Sequence, residues 1–289
     1  MPFTIDQDRC ASCGSCMSIC RNRAVIKRAG AYIVSAMCCD CGVCTPFCPT
    51  DAIAPGKEKA EFNNREIASA LKHKLSLNRG IAAMKFADSP PEGIPVEEGP
   101  QFWCAICGDI FEGTGSPVFF TAKASTCGGS AMIGVGAGKY SRDDFDVAIG
   151  AEVAGEGNLF ASKDEMSRAR SFFPRYPRAS GGMILSSLEE MSRPDIIIFP
   201  ATGYQMCKIS TAYTFDTGEI MTGYAGSATC MMTVAIPYLQ NRPVFSSSDY
   251  SGREFMRLAE GEVVVCFPYK LVPGLVKNMD RTAYAHKSD

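Results

Sequence analysis

The stretch CCDCGVCTPFCP, residues Cys38–Pro49, decides the fold of the N-terminal part of this chain. It places five cysteines within eleven residues. Four of them follow the spacing C-x2-C-x2-C-x3-C, and the same spacing occurs once more upstream. The upstream run consists of Cys10, Cys13, Cys16 and Cys20, and the downstream run of Cys38, Cys41, Cys44 and Cys48. Two complete four-cysteine runs rarely arise by chance, so the pattern indicates metal binding.

The composition describes an ordinary globular protein. The chain has 289 residues, of which 46% are hydrophobic, so it can bury a core in one large domain or two modest ones. The 29 basic and 31 acidic residues give a formal net charge of -2. This balance argues against nucleic acid or an anionic membrane as an obligatory partner.

The compartment bears on the chemistry of the cysteines. The N-terminal sequence MPFTIDQDRC shows no signal peptide, and no apolar run approaches membrane-spanning length. We therefore expect a cytoplasmic protein without a membrane partner. Because that compartment keeps thiols reduced, the fifteen cysteines predict metal ligands rather than disulfides.

The two cysteine runs resemble the cluster-binding loops of bacterial-type ferredoxins with two [4Fe-4S] clusters, over roughly residues 1–56. In such loops the first three thiolates bind one cubane and the fourth ligates the other cluster. The resemblance implies a first cluster held by Cys10, Cys13, Cys16 and Cys48, and a second held by Cys38, Cys41, Cys44 and Cys20. The alternatives are zinc or bare thiols. Cys39 is not a ligand in this interpretation, and we expect it to pack as a small side chain.

One position departs from the ferredoxin pattern. Cys20 is followed by Arg21, where the pattern has proline, whereas Cys48 keeps Pro49. Positive charge at Arg21 or Arg23 would raise the potential of the nearby cluster or help to dock a partner. Two solvated surface arginines are the simpler alternative.

The remainder of the chain mixes helices and strands, and we expect an α+β protein. Residues 57–79 are interpreted as a linker and an amphipathic helix, and residues 80–289 as a larger mixed α/β domain that follows the small ferredoxin-like domain. Strands are predicted at residues 79–86, 117–123, 146–152, 195–201 and 262–268. Helices are predicted at residues 162–173, 186–192, 227–239 and 251–259.

The C-terminal part, about Leu77 to Met279, resembles an uncharacterised prokaryotic family rich in cysteine, called domain of unknown function 169. The segments that carry the resemblance are GIAAMKF, TCGGSAMIGVG, RPDIIIFPA, GSATCMMTVAIPYL and GREFMRLAEGEVVVCFPYKL. The match is diffuse and contains no tight catalytic motif. It implies a fold family without a reaction, in an anaerobic, archaeal or related metabolism.

A second set of cysteines lies in this part. Cys104 and Cys107 form a CxxC pair, Cys127 begins a glycine-rich run, and Cys230 lies at the start of a predicted helix. These four are candidate ligands of a third iron–sulfur cluster. Buried unreactive cysteines, or a redox dithiol at Cys104 and Cys107, remain the alternatives. Cys266 is expected in the core.

Other reaction classes find little support. The run Gly128–Lys139 is neither a P-loop nor a dinucleotide fingerprint, and the two histidines occupy a helix face and the C-terminal tail. Catalytic residues remain unknown from sequence. We expect close backbone approach to explain the glycines of the run.

The sequence therefore predicts an iron–sulfur redox protein. Electrons would pass from the N-terminal clusters to a third cluster or a substrate site in the C-terminal domain, which would make the chain an oxidoreductase. The alternatives are a non-catalytic electron carrier or adaptor for a partner oxidoreductase, and a factor that hands metal or a cluster to a client enzyme. A redox protein is the expected partner, and a homodimer is the default for this size.

Overall fold

The structure, a computed structural model, describes residues 3–35, 37–56, 63–97, 99, 101–121, 161–171, 181–226 and 230–282. The architecture is α+β, with a small N-terminal part and a larger part built on a mixed sheet. The predicted fold class is thereby confirmed. Within the described residues, no helix is both long enough and apolar enough to cross a membrane.

The N-terminal part consists of two short antiparallel ladders and the loops between them. Strand β1 (Phe3–Ile5) pairs with β4 (Ile53–Pro55), and β2 (Val25–Arg28) pairs with β3 (Ala31–Val34). Helix α1 (Ser15–Ile19) lies in the first half, and a 3-10 turn (Thr45–Phe47) in the second. The first and last strands pair with each other, so the two halves of the sequence interlock.

The two halves repeat each other at the interval that separates Cys10 from Cys38. Three left-handed positions of the first half each have a left-handed counterpart at that interval in the second half. The pairs are Ser12 and Asp40, Gly14 and Gly42, and Arg23 and Asp51. Left-handed residues reverse the chain sharply, so both loops bend at matching points around their cysteines.

The C-terminal part is built on an eight-stranded sheet in the order β10-β11-β12-β9-β5-β8-β7-β6. Neighbouring strands are antiparallel except for the pairs β10–β11 and β6–β7. The strands are β5 (Ala82–Ala87), β6 (Val96–Glu97), β7 (Val118–Thr121), β8 (Gly182–Ser187), β9 (Ile196–Thr202), β10 (Thr222–Ala225), β11 (Val244–Ser248) and β12 (Glu262–Pro268).

Seven described helices accompany this sheet. They are α2 (Asn64–Leu75), α3 (Trp103–Phe111), α4 (Lys163–Arg170), α5 (Gly203–Thr217), α6 (Cys230–Gln240), α7 (Tyr250–Phe255) and α8 (Val272–Met279). The central strands are apolar on both faces, so the sheet separates two cores. In β12, for example, Val264 and Cys266 face one core and Val265 and Phe267 face the other.

The two cores are closed by different helices. On one face, residues of α3 and α6 pack against the sheet, and α7 packs against α3. On the opposite face, α2, α5 and α8 contribute the buried side chains, and α8 packs against both other helices. We call these the α3 face and the α5 face. The N-terminal part lies on the α5 face, where Ala24 and Met37 join the core with exposures of 1% and 3%.

Most predicted elements coincide with observed ones. The strands predicted at 79–86, 117–123, 195–201 and 262–268 correspond to β5, β7, β9 and β12. The strand predicted at 146–152 lies outside the described residues. The helices predicted at 162–173, 227–239 and 251–259 correspond to α4, α6 and α7, and helix α2 lies within the segment interpreted as linker and helix.

The helix predicted at residues 186–192 is wrong. Gly182–Ser187 instead forms β8, which pairs with β5 on one side and β7 on the other, and the chain then turns. The run Gly182–Leu185 is buried, and burial between two strands outweighs the helical preference of the Leu-Glu-Glu-Met that follows. Helices α3, α5 and α8 were not among the predicted elements.

Candidate metal centres

Four cysteines from two distant parts of the sequence line one cavity of the N-terminal part. They are Cys10, Cys13, Cys16 and Cys48, the four residues assigned to the first cluster. Tyr32, Ile53 and Phe47 complete the wall. The cavity therefore combines three thiols of the first loop with the last thiol of the second, which is the ligand exchange expected of a two-cluster ferredoxin.

The thiols of this set have unequal surroundings. Cys13 is exposed, and a hydrogen bond with the Ser15 hydroxyl, 3.4 Å away, lowers the pKa of its thiol. Cys16 is buried, and burial raises the pKa of its thiol. The pKa of the Cys48 thiol is also lowered, by backbone hydrogen bonds from Thr50 and Ala52 that outweigh its slight burial, so Cys13 and Cys48 are both shifted toward the thiolate that binds iron.

The second set is also a spatial group. Burial raises the pKa of the Cys44 thiol, and the neighbouring sulfurs of Cys38, Cys20 and Cys41 raise it further. These are the four residues assigned to the second cluster. The structure thus brings Cys20 of the first loop to three cysteines of the second.

The fourth cysteine of each run receives the same backbone hydrogen bond. The Ala24 N–H donates to Cys20 Sγ at 3.2 Å, and the Ala52 N–H donates to Cys48 Sγ at 3.2 Å. Amide donors to ligand sulfurs stabilise the thiolate and are one of the determinants of cluster potential. The two halves therefore repeat each other in side-chain chemistry as well as in backbone conformation.

The donor sets fit cubane clusters. In a [4Fe-4S] cluster each iron takes its own thiolate, so the four sulfurs stand around a group of atoms rather than around one ion. Within the described residues, no three cysteine, histidine or carboxylate side chains converge on the position of a single metal ion. Each set supplies the four thiols that one cubane needs, and backbone amides donate to Cys20 and Cys48.

Cys39 is assigned to neither set, although it lies beside Cys41 and Cys38. Burial raises the pKa of its thiol to about 11, and a hydrogen bond with the Cys41 side chain contributes in the same direction. A thiol with such a pKa stays protonated at neutral pH, which matches its predicted role as a packed side chain.

The two sets differ in their environment. Cys20 and Cys38 of the second set pack against the core of the α5 face, next to the buried Met37. The first set has no such cover in its cavity, where Cys13 is exposed and the wall residue Phe47 is 52% exposed. Each set has one exposed member, Cys13 in the first and Cys41 in the second, and the second set adjoins the C-terminal part through Cys20 and Cys38.

Polar contacts hold the second loop against the C-terminal part. The Asn241 side-chain amide donates to the Cys38 carbonyl oxygen at 3.4 Å, and Lys270 Nζ donates to the same oxygen. Lys270 Nζ also lies 3.5 Å from the Asp40 carboxylate. The Tyr213 hydroxyl contacts Met37 Sδ at 3.4 Å. Sequence reasoning did not predict the contacts of Asn241 and Lys270 with the Cys38 loop, because no motif marks them.

The segment after Cys20, which lacks the proline of the ferredoxin pattern, also contacts the C-terminal part. In the Arg21-Asn22 sequence that replaces Pro-Thr, the Asn22 amide donates to the Gln240 carbonyl oxygen at 2.8 Å. Arg21 and Arg23 are exposed. The departure from the pattern therefore coincides with a contact to the C-terminal part, and Asn22 rather than either arginine makes it.

The candidate third set is only partly within the described residues. Cys104 and Cys107 lie on α3, in the core of the α3 face, and Cys266 of β12 lies in the same core, as predicted from its apolar strand. Burial raises the pKa of the Cys107 and Cys266 thiols well above the usual value. Cys127 and the side chain of Cys230 lie outside the described residues, although Cys230 begins α6 as predicted. A third cluster stays a prediction.

The α3 face is opposite the N-terminal part. Cys104 and Cys107 pack on one side of the sheet, whereas Cys20 and Cys38 contact the core on the other side. The sheet therefore lies between the N-terminal cysteines and the described members of the third set. Cys207, on α5, is exposed.

Comparison with known families gives separate matches for the N-terminal and C-terminal parts. The family model of the 4Fe-4S binding domain matches residues 3–26, which include the whole first cysteine run. The N-terminal part is therefore an iron–sulfur binding domain of the ferredoxin type, with the electron-transfer role that such a domain supports. Residues 70–278 match the DUF169 family, described as "Uncharacterised ArCR". This match spans well over half of the chain, and the protein belongs to that family. Neither the curated proteins nor the solved structures contain a significant match.

Proposed function

We propose that the protein transfers electrons through two [4Fe-4S] clusters into its C-terminal domain. Electrons from a partner redox protein enter at the cluster held by Cys10, Cys13, Cys16 and Cys48. They leave through the cluster held by Cys38, Cys41, Cys44 and Cys20. The observation that carries this proposal is that Cys20 and Cys38 of the second set pack against the C-terminal core, whereas the first set lines a cavity of the N-terminal part.

The second cluster rests on the internal repeat. The 4Fe-4S family match ends at residue 26, before the second run. That run nevertheless repeats the spacing, the left-handed positions and the amide hydrogen bond of the first. The shared spacing, left-handed positions and amide hydrogen bond support the same cluster chemistry in both runs.

Iron–sulfur clusters supply one-electron chemistry, at potentials set by hydrogen bonds, charge and solvent exposure. The chain contributes the rest. The open first cavity lets a partner approach, and the Ala24 and Ala52 amides stabilise the ligand sulfurs. Met37 and Tyr213 fill the contact between the second loop and the C-terminal domain and keep water out of it.

The acceptor in the C-terminal domain is the open part of the proposal. A third cluster held by Cys104, Cys107, Cys127 and Cys230 would make the protein an oxidoreductase with its own acceptor. A non-catalytic carrier or adaptor is the second candidate. The complete burial of Cys107 and Cys266 in an apolar core favours it, because structural cysteines typically fill space in such a core.

The experiment that tests both statements is anaerobic purification with quantitation of iron and sulfide. About eight irons per chain supports two clusters alone, and about twelve supports a third. Electron paramagnetic resonance of the dithionite-reduced protein then shows whether the bound iron is redox-active. Fewer than about eight irons after reconstitution contradicts the two-cluster proposal. Labile metal that transfers to an apo-acceptor without a redox signal indicates a maturation factor instead.

A further inference from the structure

We infer that Lys270 of the C-terminal domain sets the potential of the second cluster by placing a positive charge beside the Cys38 loop. This inference rests on the proposed function, since it assumes that the Cys38 set carries a cluster. Lys270 is not an iron ligand in this inference. It acts on the cluster through its positive charge and its contact with the Cys38 carbonyl oxygen.

The lysine is held in place by the fold. It lies in the 3-10 turn Tyr269–Leu271 that joins β12 to α8. The Tyr269 N–H donates to the Asp195 carbonyl oxygen at 2.9 Å, and the Tyr269 hydroxyl contacts the Asn64 side chain on α2. The turn is therefore anchored by Tyr269 before Lys270, and Leu271 after it is buried in the core of the α5 face. Its ammonium group reaches the Cys38 carbonyl oxygen with its side chain about one-third exposed, at 35%.

The sign of the effect follows from charge. Reduction adds one negative charge to a cluster, so a nearby cation favours the reduced form and raises the potential. Asp40 acts in the opposite direction. Asp40 lies two residues after Cys38, so its carboxylate places a negative charge in the same loop. Lys270 at 3.5 Å offsets the Asp40 charge.

The first cluster has a different cation. Ser12, which carries no charge, occupies the position equivalent to Asp40. Arg9 of the same loop donates to the Thr50 carbonyl oxygen at 2.9 Å, beside the first cavity. Arg9 therefore lies beside the first cluster within its own domain, whereas Lys270 reaches the Cys38 loop from the C-terminal domain. The potential of the second cluster depends on the contact between the two domains.

The test is a redox titration of the anaerobically reconstituted full chain, followed by electron paramagnetic resonance. We expect Lys270→Met to lower the potential of one cluster and leave the other unchanged. The expected change is roughly tenfold in the ratio of reduced to oxidised cluster at a fixed potential, or about 59 mV for one electron. Lys270→Arg should keep the wild-type value. Lys277→Met, on the exposed side of α8, is the matched control and should shift neither cluster.

Two further variants assign the shift. Arg9→Gln should lower the potential of the cluster that Lys270→Met leaves unchanged. Asp40→Asn should raise the potential of the cluster that Lys270→Met lowers, and this variant tests the inference if Lys270→Met fails to load iron. Full iron content with two unshifted potentials in Lys270→Met, or an equal shift of both clusters, overturns the inference. Low iron in the wild type would instead contradict the proposed function.

Discussion

The side-chain amide of Asn22 donates a hydrogen bond of 2.8 Å to the backbone carbonyl oxygen of Gln240. The contact joins the residue just past the Cys20 loop to the last residue of α6. Its counterpart in the second repeat is Thr50, whose carbonyl oxygen accepts a hydrogen bond from Arg9 within the same domain. The residue at this repeated position thus contacts the C-terminal domain in the first half and a residue of its own domain in the second.

Replacing Asn22 tests this contact. Asn22→Thr introduces the residue of the second repeat and removes the amide donor, so we expect the domain contact to weaken by about 1 kcal/mol. Hydrogen exchange should become faster at the backbone amides of Asn241 and Arg242. The matched control, Thr50→Asn, should leave that exchange at the wild-type rate. Unchanged exchange in Asn22→Thr would show that the hydrogen bond adds nothing to the contact.

Cys39 and Cys41 provide a matched pair for ligand assignment. We expect Cys41→Ala to lower iron content by up to about four irons per chain, because one cubane loses a ligand. Cys39→Ala should keep the full iron content, since the Cys39 thiol is a protonated, half-buried side chain. Iron and sulfide quantitation checks both. Equal iron loss in the two variants would remove the assignment of Cys39 as a packed residue.

Gly14 lies where the first loop passes Tyr32. It has φ +78, and a Cβ atom there would lie 2.9 Å from the Tyr32 hydroxyl oxygen. Gly30 has φ +86 with nothing within 4 Å of its Cβ position. Gly14→Ala and Gly30→Ala therefore share a backbone cost of roughly 1–2 kcal/mol, and only Gly14→Ala adds a clash at the first cavity.

We expect Gly14→Ala to lose iron from the first cluster and Gly30→Ala to keep it. Thermal unfolding should show the larger decrease in stability for Gly14→Ala. A similar decrease for both variants, with full iron in each, would mean that Tyr32 moves aside at no cost.

Cys107 decides between a structural and a metal-binding role on the α3 face. It is fully buried in an apolar core. If its thiol only fills space, Cys107→Ala should lower the free energy of unfolding by about 1 kcal/mol and leave iron content unchanged. Denaturant unfolding and iron quantitation on one sample separate the two effects. Loss of about four irons would establish the third cluster.

The iron–sulfur domain could be predicted from sequence because its ligands are local. Spacing within each run fixes which thiols a short loop presents together, and the resemblance supplied the exchange of Cys20 and Cys48 between the runs. Buried strands such as Ile196–Thr202 and Glu262–Pro268 were equally clear, since their apolar and β-branched residues match a strand buried on both faces.

Helix α5 shows why other elements were missed. It follows β9 without an intervening loop, and its buried residues Ile209, Ala212 and Tyr213 have helical spacing but span little more than one turn of the helix. Its start is marked only by the capping box of Thr202 and Gln205. The helix at 186–192 was predicted wrongly because local helical preference was taken without the long-range strand pairing. Pairing of β8 with β5 and β7 is a long-range interaction that local preference does not contain.

The sequence by itself determined the two cysteine runs, the iron–sulfur class of the N-terminal domain and the mixed α+β architecture, because these depend on spacing and periodicity over a few residues. Only the tertiary structure decided that Cys20 and Cys38 of the second set adjoin the C-terminal domain. It also placed Lys270 and Asn241 at the Cys38 carbonyl oxygen and put Cys104 and Cys107 on the opposite face of the sheet. These relationships join residues that are distant in the chain, so no local pattern specifies them, and packing of the whole sheet does.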